Sequence, residues 1–132
     1  MVDKTDAGLR ATIEELMNAG VSANLKALDR IYHNDLKIMF LGIDGQLMMV
    51  DKPNCLTMLV ETFKDKNPED HKWAKYHEVS VSGDRGHVLI SRKIPLGGPK
   101  MMIDLSIDLV FEDDRWQVIR EVNFGRPDTQ AA

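Results

Sequence analysis

Residues 101–124, MMIDLSIDLVFEDDRWQVIREVNF, decide the fold class, because apolar and polar side chains alternate on both sides of Asp113–Asp114. This alternation predicts two antiparallel strands joined by a two-residue turn. The strands then pair Phe111 with Trp116, Leu109 with Val118, Ile107 with Arg120, Leu105 with Val122 and Ile103 with Phe124. One face of the hairpin is apolar except for Arg120, and the other carries Asp104, Ser106, Asp108, Gln117, Glu121 and Asn123. A one-residue slip would set apolar residues opposite polar ones, so burial favours this register.

The preceding segment predicts a second hairpin. Strand signals cover residues 73–82 and 87–94, with a turn around Gly83–Asp84. Strand parity predicts one shared face for Trp73, His77, Val79, Val81, Val88, Ile90, Arg92 and Ile94. Lys75, His77 and Arg92 are the polar exceptions there.

The first half of the chain predicts three helices and a strand. Apolar residues recur at helical spacing from about Asp6 to Ala19, after an N-cap at Asn24, and after an N-cap at Asp51. Leu36, Ile38 and Phe40 mark a strand before a turn at Asp44–Gly45. Helices followed by a meander predict an α+β domain with its helices on one face of the sheet. We expect one domain over residues 1–125 and a flexible tail over residues 126–132.

Composition narrows the possible partners. The chain has 132 residues, a formal charge of −4 and scattered lysines and arginines, which argues against nucleic acid. It has no apolar run long enough for a membrane span. Cys55 is the single cysteine, which fits a reducing compartment, and the four histidines lack metal-ligand spacing. We therefore expect a cytoplasmic protein with no nucleic acid or membrane partner, no metal and no cofactor.

Two segments resemble a known superfamily. ALDRIYHNDLKIMFLG, residues 27–42, and FEDDRWQVIREVNF, residues 111–124, are similar to segments of the nuclear transport factor 2-like superfamily, which includes ketosteroid isomerases and SnoaL-like polyketide cyclases. The resemblance spans nearly the whole chain. It implies a cone-shaped fold with three helices on a strongly curved, mostly antiparallel sheet, an internal pocket, and a homodimer through the outer sheet face. FLGIDGQLMMVDKP, residues 40–53, and SGDRGHVLIS, residues 82–91, are most similar to the lumazine-binding branch, whose activity is generally unassigned.

The resemblance does not carry over the catalytic residues. The position of the isomerase general base is Phe40, which cannot accept a proton. The region matching the oxyanion-binding tyrosine, residues 13–16, contains no tyrosine. The position of the histidine of many SnoaL-like proteins, four residues after Trp116, is Arg120. The catalytic residues are therefore unknown, and His77 is the one candidate base.

The predicted pocket combines apolar residues with three basic side chains. Its expected lining is Leu16, Phe40, Leu59, Phe63, Trp73, His77, Arg92 and Arg120, which suits an anionic or conjugated small molecule. Arg120 could instead form a structural ion pair with Glu14, Glu15, Glu61 or Asp65, or lie exposed at the rim. The cluster of Tyr32, His33 and Asp35 is interpreted mainly as the end of a helix.

Two other functions stay open. One is an enzyme of the isomerase, dehydratase or cyclase type, in which His77 moves a proton and Arg92 or Arg120 stabilises an oxyanion. The other is a dimerisation or interaction module that uses a face with Tyr76, Leu89, Val110 and Ile119 and has no functional cavity.

Overall fold

The computed structural model describes residues 3–95 and 100–127 of the chain. The helices are α1 (Asp6–Val21), α2 (Leu25–Ile31), α3 (Lys52–Phe63) and a short 3₁₀ helix (Pro68–His71). The strands are β1 (Tyr32–Leu41), β2 (Leu47–Asp51), β3 (Ala74–Ser82), β4 (Arg85–Ile94), β5 (Met101–Glu112) and β6 (Arg115–Arg126).

All six strands form one sheet in the order β2-β1-β6-β5-β4-β3. The β1–β6 pair is parallel and the other pairs are antiparallel. The core lies between the inner face of this sheet and the helices, and it includes Leu9, Ile13, Leu28, Ile90, Leu109 and Val118. The predicted layout of helices on one face of a mostly antiparallel sheet is confirmed.

Short polar side chains start each α-helix. Thr5, Asn24 and Asp51 accept hydrogen bonds from the backbone of Gly8, Ala27 and Asn54. Such caps satisfy amide groups that have no partner inside the helix. The N-caps predicted at Asn24 and Asp51 are confirmed.

The register of the final hairpin was predicted correctly only near its turn. Phe111 pairs with Trp116 and Leu109 with Val118, but Asp108 then pairs with Arg120. Ile119 is therefore an extra residue, a β-bulge, and it reverses which side chains face inward from that point. The observed pairs are Ile107 with Glu121, Leu105 with Asn123 and Ile103 with Gly125. Glu121 and Asn123 thus belong to the inner face, contrary to the prediction.

A second bulge shifts the other hairpin. Tyr76 pairs with Ile90 and Glu78 with Leu89, which leaves His77 as the extra residue of β3. The predicted parity holds for Val79 and Val81 but fails toward the start of the strand. Tyr76 packs against the core instead of lying on an outer interaction face. Bulges increase twist and bend a strand, so the two bulges curve the sheet around the core.

The edge strand β2 was not predicted. Its residues Leu47, Met48 and Met49 are consecutive apolar side chains, all exposed, so they give no alternating signal. At the other end of the chain, β6 continues through Gly125 and Arg126, the latter being the first residue of the predicted tail. Residues 128–132 of that tail lie outside the described residues, as do residues 96–99 of the predicted connection between β4 and β5.

Candidate functional site

A small cavity of about 50 Å³ lies between α1, α3 and the inner face of the sheet. Most of its wall is apolar: Ile13, Leu16, Met17, Ile38, Phe40, Met58, Leu59, Phe63, Ile90, Ile94, Leu105 and Ile107. The chain brings polar groups to this wall from three strands and from α3. They are Tyr32, Cys55, Arg92, Glu121 and Asn123.

Tyr32 and Glu121 form the centre of the polar wall. The hydroxyl of Tyr32 donates to Oε2 of Glu121 at 3.0 Å. The Ile119 bulge turns Glu121 inward, where it is 5% exposed, and Tyr32 begins β1 next to β6. Asn123 also hydrogen-bonds with Glu121, and its amide donates to the backbone oxygen of Met39 at 3.3 Å. The carboxyl is therefore held in one position by neighbours from two strands.

Burial raises the pKa of Glu121 above its ordinary value, because an apolar cavity disfavours the charged form. The hydrogen bonds from Tyr32 and Asn123 and the charge of Arg92 oppose this rise. A carboxyl with a raised pKa can exchange a proton closer to neutral pH. Perturbed carboxyls of this kind occur at functional sites, and this makes Glu121 the strongest candidate in the cavity.

The neighbouring Tyr32 and Cys55 stay protonated. Burial, followed by the charge of Glu121, raises the pKa of the Tyr32 hydroxyl. Burial likewise raises the pKa of the Cys55 thiol, which hydrogen-bonds with Tyr32. A nucleophilic cysteine needs a lowered pKa, so Cys55 is a wall residue and not a nucleophile.

Arg92 supplies the positive charge of the cavity. It lies on β4, two strands away from Glu121, and its Nη2 donates to the backbone oxygen of His71 at 3.1 Å. Its Nε is enclosed and finds no hydrogen-bond partner among residues 3–95 and 100–127. Burial lowers the pKa of Arg92, while Tyr32, Glu121 and Tyr76 act in the opposite direction. A guanidinium keeps its proton in folded proteins, so Arg92 remains a cation.

A wider, more open cavity of about 280 Å³ adjoins the first one. Phe40, Met58 and Asn123 line both cavities. The wider cavity is otherwise lined by Leu41, Gly42, Met48, Thr62, Met101, Ile103 and Gly125. We call it the mouth, because it lies between the inner cavity and the surface at the β2 edge. Methionine side chains adapt to different apolar shapes, so the mouth suits the apolar part of a ligand.

Five of the eight residues predicted to line the pocket lie on the wall of the inner cavity. They are Leu16, Phe40, Leu59, Phe63 and Arg92. Trp73 does not: it lies just before β3, is 44% exposed, and carries Lys93 over its ring at 5.0 Å from the ring centre. The bulge at His77 explains this error, since it breaks the parity that linked Trp73 to the inner face.

Arg120 was predicted to point into the pocket, and this is wrong. The Ile119 bulge places it on the outer face, where it is exposed and pairs in register with Lys37 and Asp108. Within the described part of the chain, none of the acids proposed as its ion-pair partners contacts it. Arg120 therefore cannot serve the cavity.

His77 also lies on the outer face, away from the cavity. Its Nε2 donates to Oγ of Ser91 at 2.8 Å, and Ser91 donates to Asp104 at 2.5 Å. On the same face, His87 bridges Glu78 at 3.1 Å and Ser106 at 2.8 Å. These cross-strand networks link side chains on the outer face, among them the buried Ser91, and His77 is not placed to act on a molecule in the cavity.

The sequence reasoning missed Tyr32, Glu121 and Asn123. Tyr32 was assigned to a helix end, which is correct for α2, but its side chain points inward while His33 points toward Glu112 on the outside. Simple alternation along the strand predicts Glu121 and Asn123 on the outer face, and the Ile119 bulge turns them inward. Glu121 and Asn123 alternate with the apolar residues Val122 and Phe124, which is the pattern that an exposed face also gives, so the sequence carries no local signal for their burial.

In residues 3–95 and 100–127, no group of three or more His, Cys, Asp or Glu side chains is arranged to hold a metal ion. None of the helices described is both long and apolar enough to span a membrane.

Comparison with known proteins identifies the fold. No family model matches the chain, and no curated protein matches it. An NTF2-like protein of unknown function from Silicibacter pomeroyi is 21% identical, with a TM-score of 0.74 over 91% of this chain and 94% of that chain. An NTF2-like protein of unknown function from Shewanella baltica is 13% identical, with a TM-score of 0.73 over 91% of this chain and 92% of that chain.

A ketosteroid isomerase-like protein from Erwinia carotovora is also similar, at 16% identity and a TM-score of 0.61 over 89% of this chain and 92% of that chain. Similarity at these identities defines the fold alone. The chain has the NTF2-like cone-shaped α+β fold, and the fold predicted from its sequence is confirmed. The assignment to the lumazine-binding branch stays a prediction.

The Tyr32–Glu121 hydrogen bond can be tested by removing one hydroxyl. Tyr32→Phe should raise the pKa of Glu121 further and lower the free energy of unfolding by about 1–3 kcal/mol, because a buried carboxyl loses a donor. Carbon-13 NMR titration of the Glu121 carboxyl and urea unfolding measure the two effects. Tyr76→Phe is the matched control, since the Tyr76 hydroxyl donates to exposed Glu14 at 2.9 Å. An unchanged Glu121 titration in Tyr32→Phe would contradict the assignment.

Proposed function

We propose that this domain binds a small molecule whose polar group enters the inner cavity and whose apolar part lies in the mouth. The observation that carries the proposal is the Glu121 carboxyl, which is buried in an apolar cavity that also holds Arg92. Burying charged groups costs stability, and proteins keep such costs mainly where function needs them. The positive charge of Arg92 favours an anionic or conjugated ligand.

The volumes of the two cavities limit the size of the ligand. The inner cavity, about 50 Å³, is well below the roughly 300–1,000 Å³ of ordinary ligand pockets. A conjugated ring system, as the resemblance to the lumazine-binding branch suggests, would occupy the mouth of about 280 Å³ and direct one polar edge inward. Phe40 and Met58 lie between the cavities and would contact both parts of such a ligand.

Methionine methyl groups report directly on occupancy. In protein labelled with carbon-13 at the methionine methyls, phenol, benzoate and lumazine test neutral, anionic and conjugated ligands. We expect ligand-dependent shifts at Met17 and Met58, which line the inner cavity, and none at Met49, which is 59% exposed and lines neither the inner cavity nor the mouth.

A blocking variant provides the control for the same experiment. Leu105→Phe adds volume inside the cavity and should weaken binding about tenfold or more, since overpacking a small site excludes the ligand. Shifts confined to Met49, or binding that Leu105→Phe leaves unchanged, would contradict the proposal. An interaction module without a functional cavity would give that result.

An enzyme of the isomerase, dehydratase or cyclase type is the second candidate, and Glu121 favours it. A buried carboxyl with a raised pKa, hydrogen-bonded to Tyr32, can take a proton from a ligand while Arg92 stabilises the oxyanion. His77 and Arg120 have no part in this version, since both lie on the outer face. In an enzyme, Glu121→Gln would still bind the ligand, but exchange of its carbon-bound protons in D₂O would fall by about 10²–10⁴.

A further inference from the structure

The inner cavity has two polar ends with opposite hydrogen-bonding character. At the β6 end the side chains accept: the Glu121 carboxyl has unused lone pairs, and the amide nitrogen of Asn123 already donates to Met39 and leaves its oxygen as an acceptor. At the β4 end the polar side chain is Arg92, which can only donate. A ligand that satisfies both ends must carry an acceptor at one end and a donor at the other.

The donor end has an enclosed nitrogen atom whose hydrogen-bonding capacity is unused. Nε of Arg92 has no partner among the residues that the structure describes, although Nη2 of the same side chain donates to the His71 backbone oxygen at 3.1 Å. An enclosed donor without an acceptor costs about 1–3 kcal/mol. A carboxylate is a strong acceptor for a guanidinium, because the hydrogen bonds are charge-assisted.

The wall between the two ends is apolar. Ile90, Leu105 and Ile107 separate Arg92 from Glu121, and β5 lies between the strands that carry the two charged residues. Arg92 pairs with Ile103 and Ile103 with Gly125, so Arg92 and Glu121 lie two strand spacings apart across the sheet and four residues apart along it. Their backbones are therefore roughly 16 Å apart, and the side chains of both residues line the cavity between them. The ligand therefore needs a short apolar link between its two polar groups.

The volume of the cavity limits the length of that link. About 50 Å³ leaves room for roughly three to five water-sized groups. A chain of two to four carbon atoms with polar groups at its ends has this size. Larger ligands would have to extend into the mouth past Phe40 and Met58, which line both cavities.

We infer that the inner cavity selects a short-chain hydroxycarboxylic acid, whose carboxylate pairs with Arg92 and whose hydroxyl donates to Glu121 or Asn123. This specificity rests on the proposed binding function and adds the chemical class of the ligand. Each polar group of such a molecule meets a side chain of complementary character, and its methylene groups meet Ile90, Leu105 and Ile107.

Three compounds of nearly equal size test the inference by the methyl shifts of Met17 and Met58. They are 3-hydroxypropionate, 3-hydroxypropionamide, which lacks the charge, and propionate, which lacks the hydroxyl. We expect 3-hydroxypropionate to bind at least tenfold more tightly than either of the other two, because the amide offers Arg92 a neutral acceptor in place of a charged one and propionate has no donor for the Glu121 end.

Matched variants test whether Arg92 causes the preference for the acid over the amide. Arg92→Gln should remove the preference for the acid over the amide, and Arg120→Gln, the same change on the outer face, should leave it intact. Arg92→Lys keeps the charge without the planar guanidinium and should retain part of the preference. If Arg92→Gln does not fold, Arg92→Lys and the three compounds on the parent protein still decide the question.

Several outcomes would overturn the inference. They are equal binding of acid and amide, a preference that survives in Arg92→Gln, and shifts at Met49 in place of Met17 and Met58. If phenol, benzoate or lumazine still shifts Met17 and Met58, the inferred ligand class fails while the proposed binding function stands. If no compound shifts these two methyl groups, both fail together.

Discussion

Replacing Glu121 with glutamine should stabilise the protein at pH 7–8, against the usual effect of changing a buried residue. Burial raises the pKa of Glu121 in the folded state, so the folded protein holds this proton more tightly than the unfolded chain. The contribution of Glu121 to the free energy of unfolding is fully present below the pKa that this group has in the unfolded chain. It is lost as the pH rises through the higher pKa of the folded state. Glutamine has nearly the same shape as glutamate but carries no ionisable group.

The stability that Glu121→Gln gains over the parent protein should therefore grow with pH. Near pH 4 the parent and Glu121→Gln should unfold at similar urea concentrations, and the difference should increase through the pKa of Glu121 and then level off. The plateau corresponds to about 1.4 kcal/mol for each unit by which the folded pKa is raised. Urea unfolding at several pH values, with both proteins in the same buffers, measures it.

Glu61→Gln is the matched control, because Glu61 is exposed and pairs with Lys64 at 2.9 Å on the surface of α3. Changes at exposed positions are usually within about 0.5 kcal/mol. If Glu121→Gln is no more stable than the parent at pH 8, the hydrogen bonds from Tyr32 and Asn123 outweigh burial, and Glu121 is a structural residue. Higher stability together with weaker ligand binding or slower proton transfer is the result expected of a functional carboxyl.

Replacing Trp116 with alanine should lower the free energy of unfolding by about 3–5 kcal/mol, the usual cost of removing a large buried aromatic side chain. Trp116 is 1% exposed, packs edge to face on Phe111 with ring centres 5.2 Å apart, and donates from Nε1 to the Asp3 backbone oxygen at 3.0 Å. It closes the end of the sheet where β6 begins. Urea unfolding at pH 7 measures the loss.

The other tryptophan gives a matched control. Trp73→Ala should cost less than Trp116→Ala, since Trp73 is 44% exposed and nearly half of its surface stays in water in the folded protein. Trp116 does not line the inner cavity, so Trp116→Ala should keep ligand binding under conditions where it is folded. A loss from Trp73→Ala equal to that from Trp116→Ala would contradict the placement of both side chains.

Gly86, which lies beside the Trp116 ring in the folded protein, shows why the end of the sheet near Trp116 is closed. A Cβ at Gly86 would lie 2.8 Å and 2.9 Å from the two methyl groups of Leu9 and 3.3 Å from the Trp116 ring. Helix α1 therefore packs directly on the backbone of β4 at this position. The cavity opens farther along α1, where Leu16, Met17 and Gly20 replace this tight contact.

Much of the fold was predictable because its signals are local. Periodic apolar residues defined the helices, Asn24 and Asp51 defined two N-caps, and the turn at Asp113–Asp114 defined the final hairpin, where both aspartates have positive φ. Leu16, Phe40, Leu59 and Phe63 could be placed around the cavity from the same patterns. The edge strand β2 could not be predicted, since its exposed residues do not alternate.

The sequence by itself determined the α+β order of elements, the helix starts and the apolar wall, whereas the tertiary structure decided the polar half of the site. The unbulged register would turn Val122 and Phe124 inward, but it would also turn the charge of Arg120 inward, opposite Ile107. The bulge at Ile119 buries Glu121 and Asn123 instead, and Tyr32 on β1 and the Met39 backbone supply their hydrogen bonds. An unpaired buried charge costs several kcal/mol, while a hydrogen-bonded polar group costs far less. Those partners are about 84 to 89 residues away in the chain, so only the folded sheet reveals that they meet.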